Sequence, residues 1–257
     1  MRERSLRAKG FSVSDTERKL WTRDELLLAI NLYCKIPFGR IHVRNPEIIE
    51  LADKLRRTPG SISYKLANFS SLDPTLDRKG AANVSKLDKE VWAEFYDNWE
   101  AKLSESESKM EELKGAPEIS EELPEFEFAE GETRETIVKT RKNQGLFRKI
   151  ILSSYDGKCC ITGIENSELL IASHIVPWSR DTKNRMNPMN GVCLNALHDR
   201  AFDRGLITIS EDYRVRVSDR VKHEILRKYD QTPIHLPSRF HPDQNFLKFH
   251  RNEIFKN

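Results

Sequence analysis

Three groups suited to acid–base and cation chemistry fall within one short stretch of this chain. His174 closes the apolar run Leu169–His174, Asn190 follows sixteen residues later in the segment Asn187–Gly191, and His198 comes eight further on. A neutral imidazole accepts a proton near pH 7 and binds divalent cations, and a side-chain amide can brace a loop. Hydrolysis of a phosphodiester calls for such a set. It needs a base for water, a cation for the charge on phosphate and leaving oxygen, and a group that keeps the two in register. The other histidines (His42, His223, His235, His241 and His250) have no comparable neighbours and read as structural.

Those residues need a strand, a loop and a helix to hold them. Residues 169–178 read as a strand ending near His174, 194–203 as a helix carrying His198, and 205–210 as a returning strand. A helix is expected upstream through Ile137, Arg141, Gln144, Phe147, Arg148 and Ile151, before the turn at Gly163.

The wider pattern resembles the HNH (ββα-metal) endonucleases, in particular their restriction-endonuclease-like subset. It is carried by Cys160, Thr162 and Gly163, then Ala172, Ser173, His174, Ile175, Pro177 and Trp178. Arg185, Pro188, Asn190 and Gly191 continue it, followed by Leu194, Leu197, His198, Asp199, Phe202, Asp203, Gly205, Leu206, Ile207 and Thr208. The resemblance covers roughly residues 134–257. It implies that His174 is the general base, that Asn190 braces the loop, and that His198 binds a divalent cation. Mg²⁺ is the expected ion, with Mn²⁺ or Ni²⁺ as substitutes. Arg148 and Arg185 become phosphate clamps, with Arg141 and Gln144 beside them.

Two departures matter. Many members place Asp before the base as a second metal ligand, whereas this chain has Ser173; the metal then has fewer protein ligands, or Asp203, favoured over Asp199, helps to hold it. Many also carry paired CxxC knuckles. Here the later knuckle positions are Leu194 and Leu197, so no structural zinc is expected and Cys159, Cys160 and Cys193 read as core.

The 257 residues carry a formal net charge of +3, which hides an asymmetry. Residues 103–132 hold eleven Glu against two Lys, leaving +12 on the rest of the chain. A basic body fits a nucleic-acid partner. Adjacent Cys159 and Cys160 argue against a disulfide framework. No apolar run is long enough to span a membrane and no secretion signal is seen, so the expected location is the cytoplasm.

The first hundred residues read as helical. Thr22 with Glu25 forms a capping box, and Asn45-Pro46 and Thr58-Pro59 each open a helix, with Ile48, Ile49, Ala52 and Leu55 expected to face inward on the second. Residues 47–69 have the form of a helix-turn-helix, placing Ser61, Ser63, Tyr64 and Lys65 toward DNA, with Arg56 and Arg57 beside its backbone. The fold class expected is α+β, with a helical recognition domain over 1–102, an acidic flexible linker over 103–132 and a nuclease domain over 133–257. Such a chain would be a restriction or modification-dependent defence endonuclease acting on double-stranded DNA as a homodimer, with the C-terminal domain able to nick DNA alone. A non-catalytic DNA-binding regulator and a ligand-activated effector nuclease are the competing readings.

Overall fold

The Thr22 hydroxyl accepts from the Glu25 backbone N–H while the Glu25 carboxylate accepts from the Thr22 N–H, which fixes the start of α1 (Arg23–Lys35). Residues from Glu25 to Cys34 are all buried, so this helix is covered on every side. The computed structural model describes residues 19–76, 83–115 and 134–257, with side chains of the last segment from Lys139 onward.

Two capped helices lie against α1. Asn45 accepts from Glu47 and Ile48 at the start of α2 (Pro46–Lys54), and Thr58 accepts from Ser61 at the start of α3 (Pro59–Phe69). The inward stripe of α2 is Ile48, Leu51 and Ala52. Ile49, expected inward, is 45% exposed because it lies about 100° from Ile48 around the helix. Helix α4 (Lys86–Asp97) begins in the Ser85–Asp88 capping box and ends at Asn98, which caps α5 (Trp99–Lys114).

Helix α5 departs from the expected flexible linker. Leu103 and Ser106 are buried on it, and Ser106 Oγ accepts from Asn31 at 2.8 Å. Glu105 pairs with Arg23, Glu107 with Lys35 and Lys109 with Asp24, all across to α1. The acidic run through residue 114 therefore complements basic side chains of a buried helix. The rest of the expected linker, 116–132, lies outside the described residues.

The C-terminal half starts with α6 (Arg134–Ser154), which packs against α1 and against the hairpin of β1 (Leu170–His174) and β2 (Gly191–Asn195). These strands are antiparallel, with His174 opposite Gly191 and Ser173 opposite Val192. Gly191 is obligatory for this approach, since a Cβ there would lie 2.5 Å from Ile151 and 2.7 Å from Phe147. Helix α7 (Ala196–Asp203) follows β2 directly and packs on both strands. The expected helix start at Leu194 falls instead within the last two residues of β2, because Asn195 caps α7. A second hairpin, β3 (Ile207–Ile209) with β4 (Val215–Val217), and the short helices α8 (Glu224–Arg227) and α9 (Gln244–Phe249) complete the α+β fold.

The helical and C-terminal parts share one core. Arg239 has no exposed surface and donates to the Cys34 carbonyl at 3.0 Å and to Ser153 Oγ at 2.8 Å. Its guanidinium lies 4.9 Å from the Tyr33 ring. Phe240 meets Tyr33 and Trp99 edge-on, and its backbone N–H donates to Asp73. The described residues thus form a joined body. No helix among them is long and apolar enough to cross a membrane.

Candidate active site

His174 ends β1, where its ring is held on two sides. It stacks on Phe147 of α6 at 3.9 Å between centroids and 11° between planes, and Trp178 meets it edge-on at 5.3 Å. Nε2 lies 2.9 Å from the Arg185 carbonyl oxygen. A carbonyl only accepts, so Nε2 carries the hydrogen and Nδ1 is left with its lone pair. Burial lowers the His174 pKa, the Arg185 carbonyl opposing in part, and the ring is neutral at pH 7.

Asn190 secures the segment that follows. Its Oδ1 accepts from the Val176 N–H at 2.8 Å, and its Nδ2 donates to the Val176 and Asn184 carbonyls at 3.2 and 3.3 Å. Its own carbonyl accepts from the Ile175 N–H. The two residues after His174 are thereby tied to the loop that carries Arg185. Arg185 in turn donates from Nε to the Trp178 carbonyl and lies over the Trp178 ring.

His198 is set differently. Asn195 Oδ1 accepts both the His198 backbone N–H and its ring Nδ1–H, each at 3.0 Å. Nε2 therefore carries the lone pair, and it is buried with no hydrogen-bond partner. Tyr229 packs edge-on against the ring at 4.9 Å. Burial, and then the Lys228 charge, lower the His198 pKa. A neutral imidazole with one nitrogen fixed and the other orphaned has the character of a metal ligand. Asn195 went unnoticed in the sequence, although an Asn three residues before a helical His is a cap signal. Its Nδ2 donates to Thr162 Oγ1 at 3.2 Å, which gives the Cys160–Gly163 turn its part in the site.

Ser173, next to His174, is buried and faces α7. Its hydroxyl lies toward the Asp199 carboxylate, where it offsets part of the burial that raises the Asp199 pKa, without the geometry of a full hydrogen bond. Asp203 is exposed one turn further along α7; burial and then the Asp199 charge raise its pKa. Among the described residues no three His, Cys, Asp or Glu side chains converge on a metal position. An ion here would have to take its remaining ligands from water and substrate oxygens, as Mg²⁺ commonly does. Cys159, Cys160 and Cys193 are free and buried.

The expected DNA-contacting residues are scattered, and some are engaged within the fold. Lys65 is buried and donates to both carboxylate oxygens of Asp88 at 2.8 and 2.9 Å. Arg57 is paired with Glu25 and lies over Trp21. Both departures have the same cause, an acidic partner buried beneath the cation. Arg148 donates to the Leu170 and Ser167 carbonyls, bracing the approach to β1. Arg56, Tyr64, Arg141 and Gln144 are exposed, while Ser61 and Ser63 are half-buried.

Residues 159–210 match the family model for the HNH endonuclease. The chain carries an HNH endonuclease domain. The matched stretch begins beside the Thr162 turn and ends after β3, so it contains His174, Asn190 and His198. None of the curated proteins matches the chain. Among solved structures, the modification-dependent TagI restriction endonuclease is similar at 21% identity and a TM-score of 0.34. The likeness covers 43% of this chain and 38% of that one, so this chain spans well under half the length of that relative.

Proposed function

We propose that the HNH domain hydrolyses phosphodiester bonds of double-stranded DNA with the help of a divalent cation. The observation that carries this reading is the pair of fixed imidazoles. His174 has Nε2–H bound to a carbonyl and Nδ1 ready to accept a proton, and His198 has Nδ1–H bound to Asn195 and Nε2 unpartnered. In this reading His174 Nδ1 takes a proton from the attacking water. Asn190 keeps the strand end and the Arg185 loop in register, so the base does not drift. Phe147 and Trp178 confine the ring and limit access of bulk water to its faces. His198 Nε2 would hold the cation, with Mg²⁺ the leading ion and Mn²⁺ or Ni²⁺ able to substitute; when bound, the ion neutralises charge on the phosphate and the leaving oxygen.

Arg141 and Gln144 on α6, Arg185 on the loop after β1, Arg56 between α2 and α3, and Ser61, Ser63 and Tyr64 on α3 are the side chains proposed to meet DNA. A restriction or modification-dependent defence role, and a homodimer supplying two active sites for two strands, belong to the same proposal. Plasmid cleavage tests it, with Mg²⁺, Mn²⁺, Ni²⁺ or chelator and with methylated, hydroxymethylated and unmodified DNA. Cutting should require a cation and vanish in His174→Ala, while that variant binds DNA with nearly wild-type affinity. Cutting retained by His174→Ala would overturn the mechanism.

A further inference from the structure

Met189 directly precedes Asn190, and it is gripped by residues outside the stretch that matches the HNH family. Its side chain is buried, with Sδ 2.9 Å from the hydroxyl of Tyr96 on α4, which donates to it. Trp92 and Trp99 pack against the Tyr96 ring, at 6.2 and 5.7 Å between centroids. Burial, and then the Asp73 and Asp243 charges, raise the Tyr96 pKa, so the phenol keeps the proton it donates. The Met189 carbonyl accepts from the Asp243 N–H at 3.0 Å. Asp243 ends the strap 238–243, which the helical part holds. Within it Arg239 donates to the Cys34 carbonyl, the Phe240 N–H to Asp73 and the His241 N–H to Thr75 Oγ1. Side chain and backbone of this one loop residue are therefore both tied to the helical part.

From this we infer that Met189 is a positioning residue for His174, and that the helical part sets it through Tyr96 and Asp243. The inference rests on the nuclease reading above and deepens it. Two short routes lead from Met189, through Asn190, to His174. The Asn190 carbonyl accepts from the Ile175 N–H at 3.0 Å, which fixes the peptide that follows His174. The Asn190 amide donates to the Asn184 carbonyl at 3.3 Å, and the next residue is Arg185, whose carbonyl oxygen lies 2.9 Å from His174 Nε2. A shift of Met189 thus reaches both the strand end and the group that selects the ring's tautomer. Bonds within the loop keep its shape: Asn187 Oδ1 accepts from the Met189 N–H, and Asn187 Nδ2 donates to Asn184 Oδ1. The grips on Met189 set that shape against α4 and the strap. A thioether suits the place, being a flexible filler that makes favourable contacts with aromatic rings. His198 lies off these routes, since Asn195 holds its ring at the other end of β2.

The test compares the full wild-type chain with Met189→Ala, Met189→Leu and Tyr96→Ala, each at a temperature where its melting curve shows it folded. Nitrogen–proton correlation spectra of the imidazole rings read the tautomers of His174 and His198, assigned with His174→Gln and His198→Gln. Wild-type His174 should show Nε2 protonated and Nδ1 bare. In Met189→Ala and Tyr96→Ala its two nitrogen shifts should draw together as the tautomers mix, while His198 keeps its wild-type shifts. Met189→Leu conserves side-chain volume and should hold His174 near its wild-type shifts. On DNA the two Ala variants should lose at least about tenfold in kcat with KM within about twofold, since a misplacement of about 1 Å can cost about a hundredfold. An unmoved His174 in both Ala variants, or equal movement of His174 and His198, would overturn the positioning role. A wild-type chain that cuts no DNA would overturn the nuclease reading instead, and the ring spectra would still decide whether Met189 sets the His174 ring.

Discussion

Asn195 makes the sharpest prediction, because one oxygen holds both the start of a helix and the ring of His198. In Asn195→Ala the first turn of α7 loses its cap, at a cost of about 1 kcal/mol. The His198 ring N–H also loses its acceptor in a buried position, which adds roughly 1–3 kcal/mol. The sum, about 2–4 kcal/mol, lowers Tm by about 5–15 °C for a chain of this size. Without its anchor the imidazole is free to turn or to change tautomer, and cation affinity falls on the order of ten- to a hundredfold. Asn195→Asp separates the two roles of the residue. Its carboxylate still accepts from the His198 backbone and ring, which now lie 3.0 Å from Asn195 Oδ1. The Thr162 hydroxyl, which accepts from Asn195 Nδ2, can turn to donate instead. Thermal melting and Mn²⁺ titration of the three proteins decide the matter. The Asp variant should recover most of both losses. Wild-type cation affinity in Asn195→Ala would refute the reasoning and leave Asn195 as a cap alone.

Residues 134–257 made alone should not fold to a native state, in contrast to the nicking fragment expected from the sequence. Arg239, Phe240 and the α1-facing side of α6 would lose their covering, and near-ultraviolet circular dichroism should be featureless; a native-like spectrum would show that the shared core is dispensable. Acid should weaken the full chain through His250, which is buried between Thr208 and the Phe202 carbonyl and whose pKa burial lowers to about 4. Its ordinary value is about 6.5, so between those two pH values the unfolded chain takes up a proton that the folded chain refuses. Stability from this group is full above about pH 6.5 and declines as pH falls toward 4, by about 3 kcal/mol in all. Melting curves across that range should show the slope, and His250→Gln should flatten it. Cleavage should hold down to pH values below 6.5, since burial lowers His174 and His198 as well; an acid limb above pH 6.5 would contradict their burial.

Local signals proved legible in the sequence. The caps at Thr22, Asn45 and Thr58 act where their residue types place them, because a capping bond joins residues two or three apart. The strand, loop and helix that carry His174, Asn190 and His198 were legible from their own residue patterns, and β1 pairs with β2, the next strand in the chain. What was not legible depends on distant partners. Nothing near Lys65 reveals that Asp88 will bury it, and nothing near Arg239 points to Cys34, more than two hundred residues away. The Glu-rich start of α5 looked like solvated spacer since its stabilising charges lie on α1. Even so, Asn31 and Ser106 meet in the core, which a reading by charge alone could not show.

In the proposed mechanism the Arg185 carbonyl behind His174 also bears on turnover. A carboxylate in that place would stabilise the imidazolium once a proton had arrived. A neutral carbonyl steers the ring but gives it no full counter-charge, and the aromatic walls of Phe147 and Trp178 carry none. The protonated ring is then a strong acid for its surroundings and hands its proton on readily, to solvent or to a departing oxygen. On that reading His174 would act as a relay that empties between cycles, with its resting state restored by the burial that lowers its pKa.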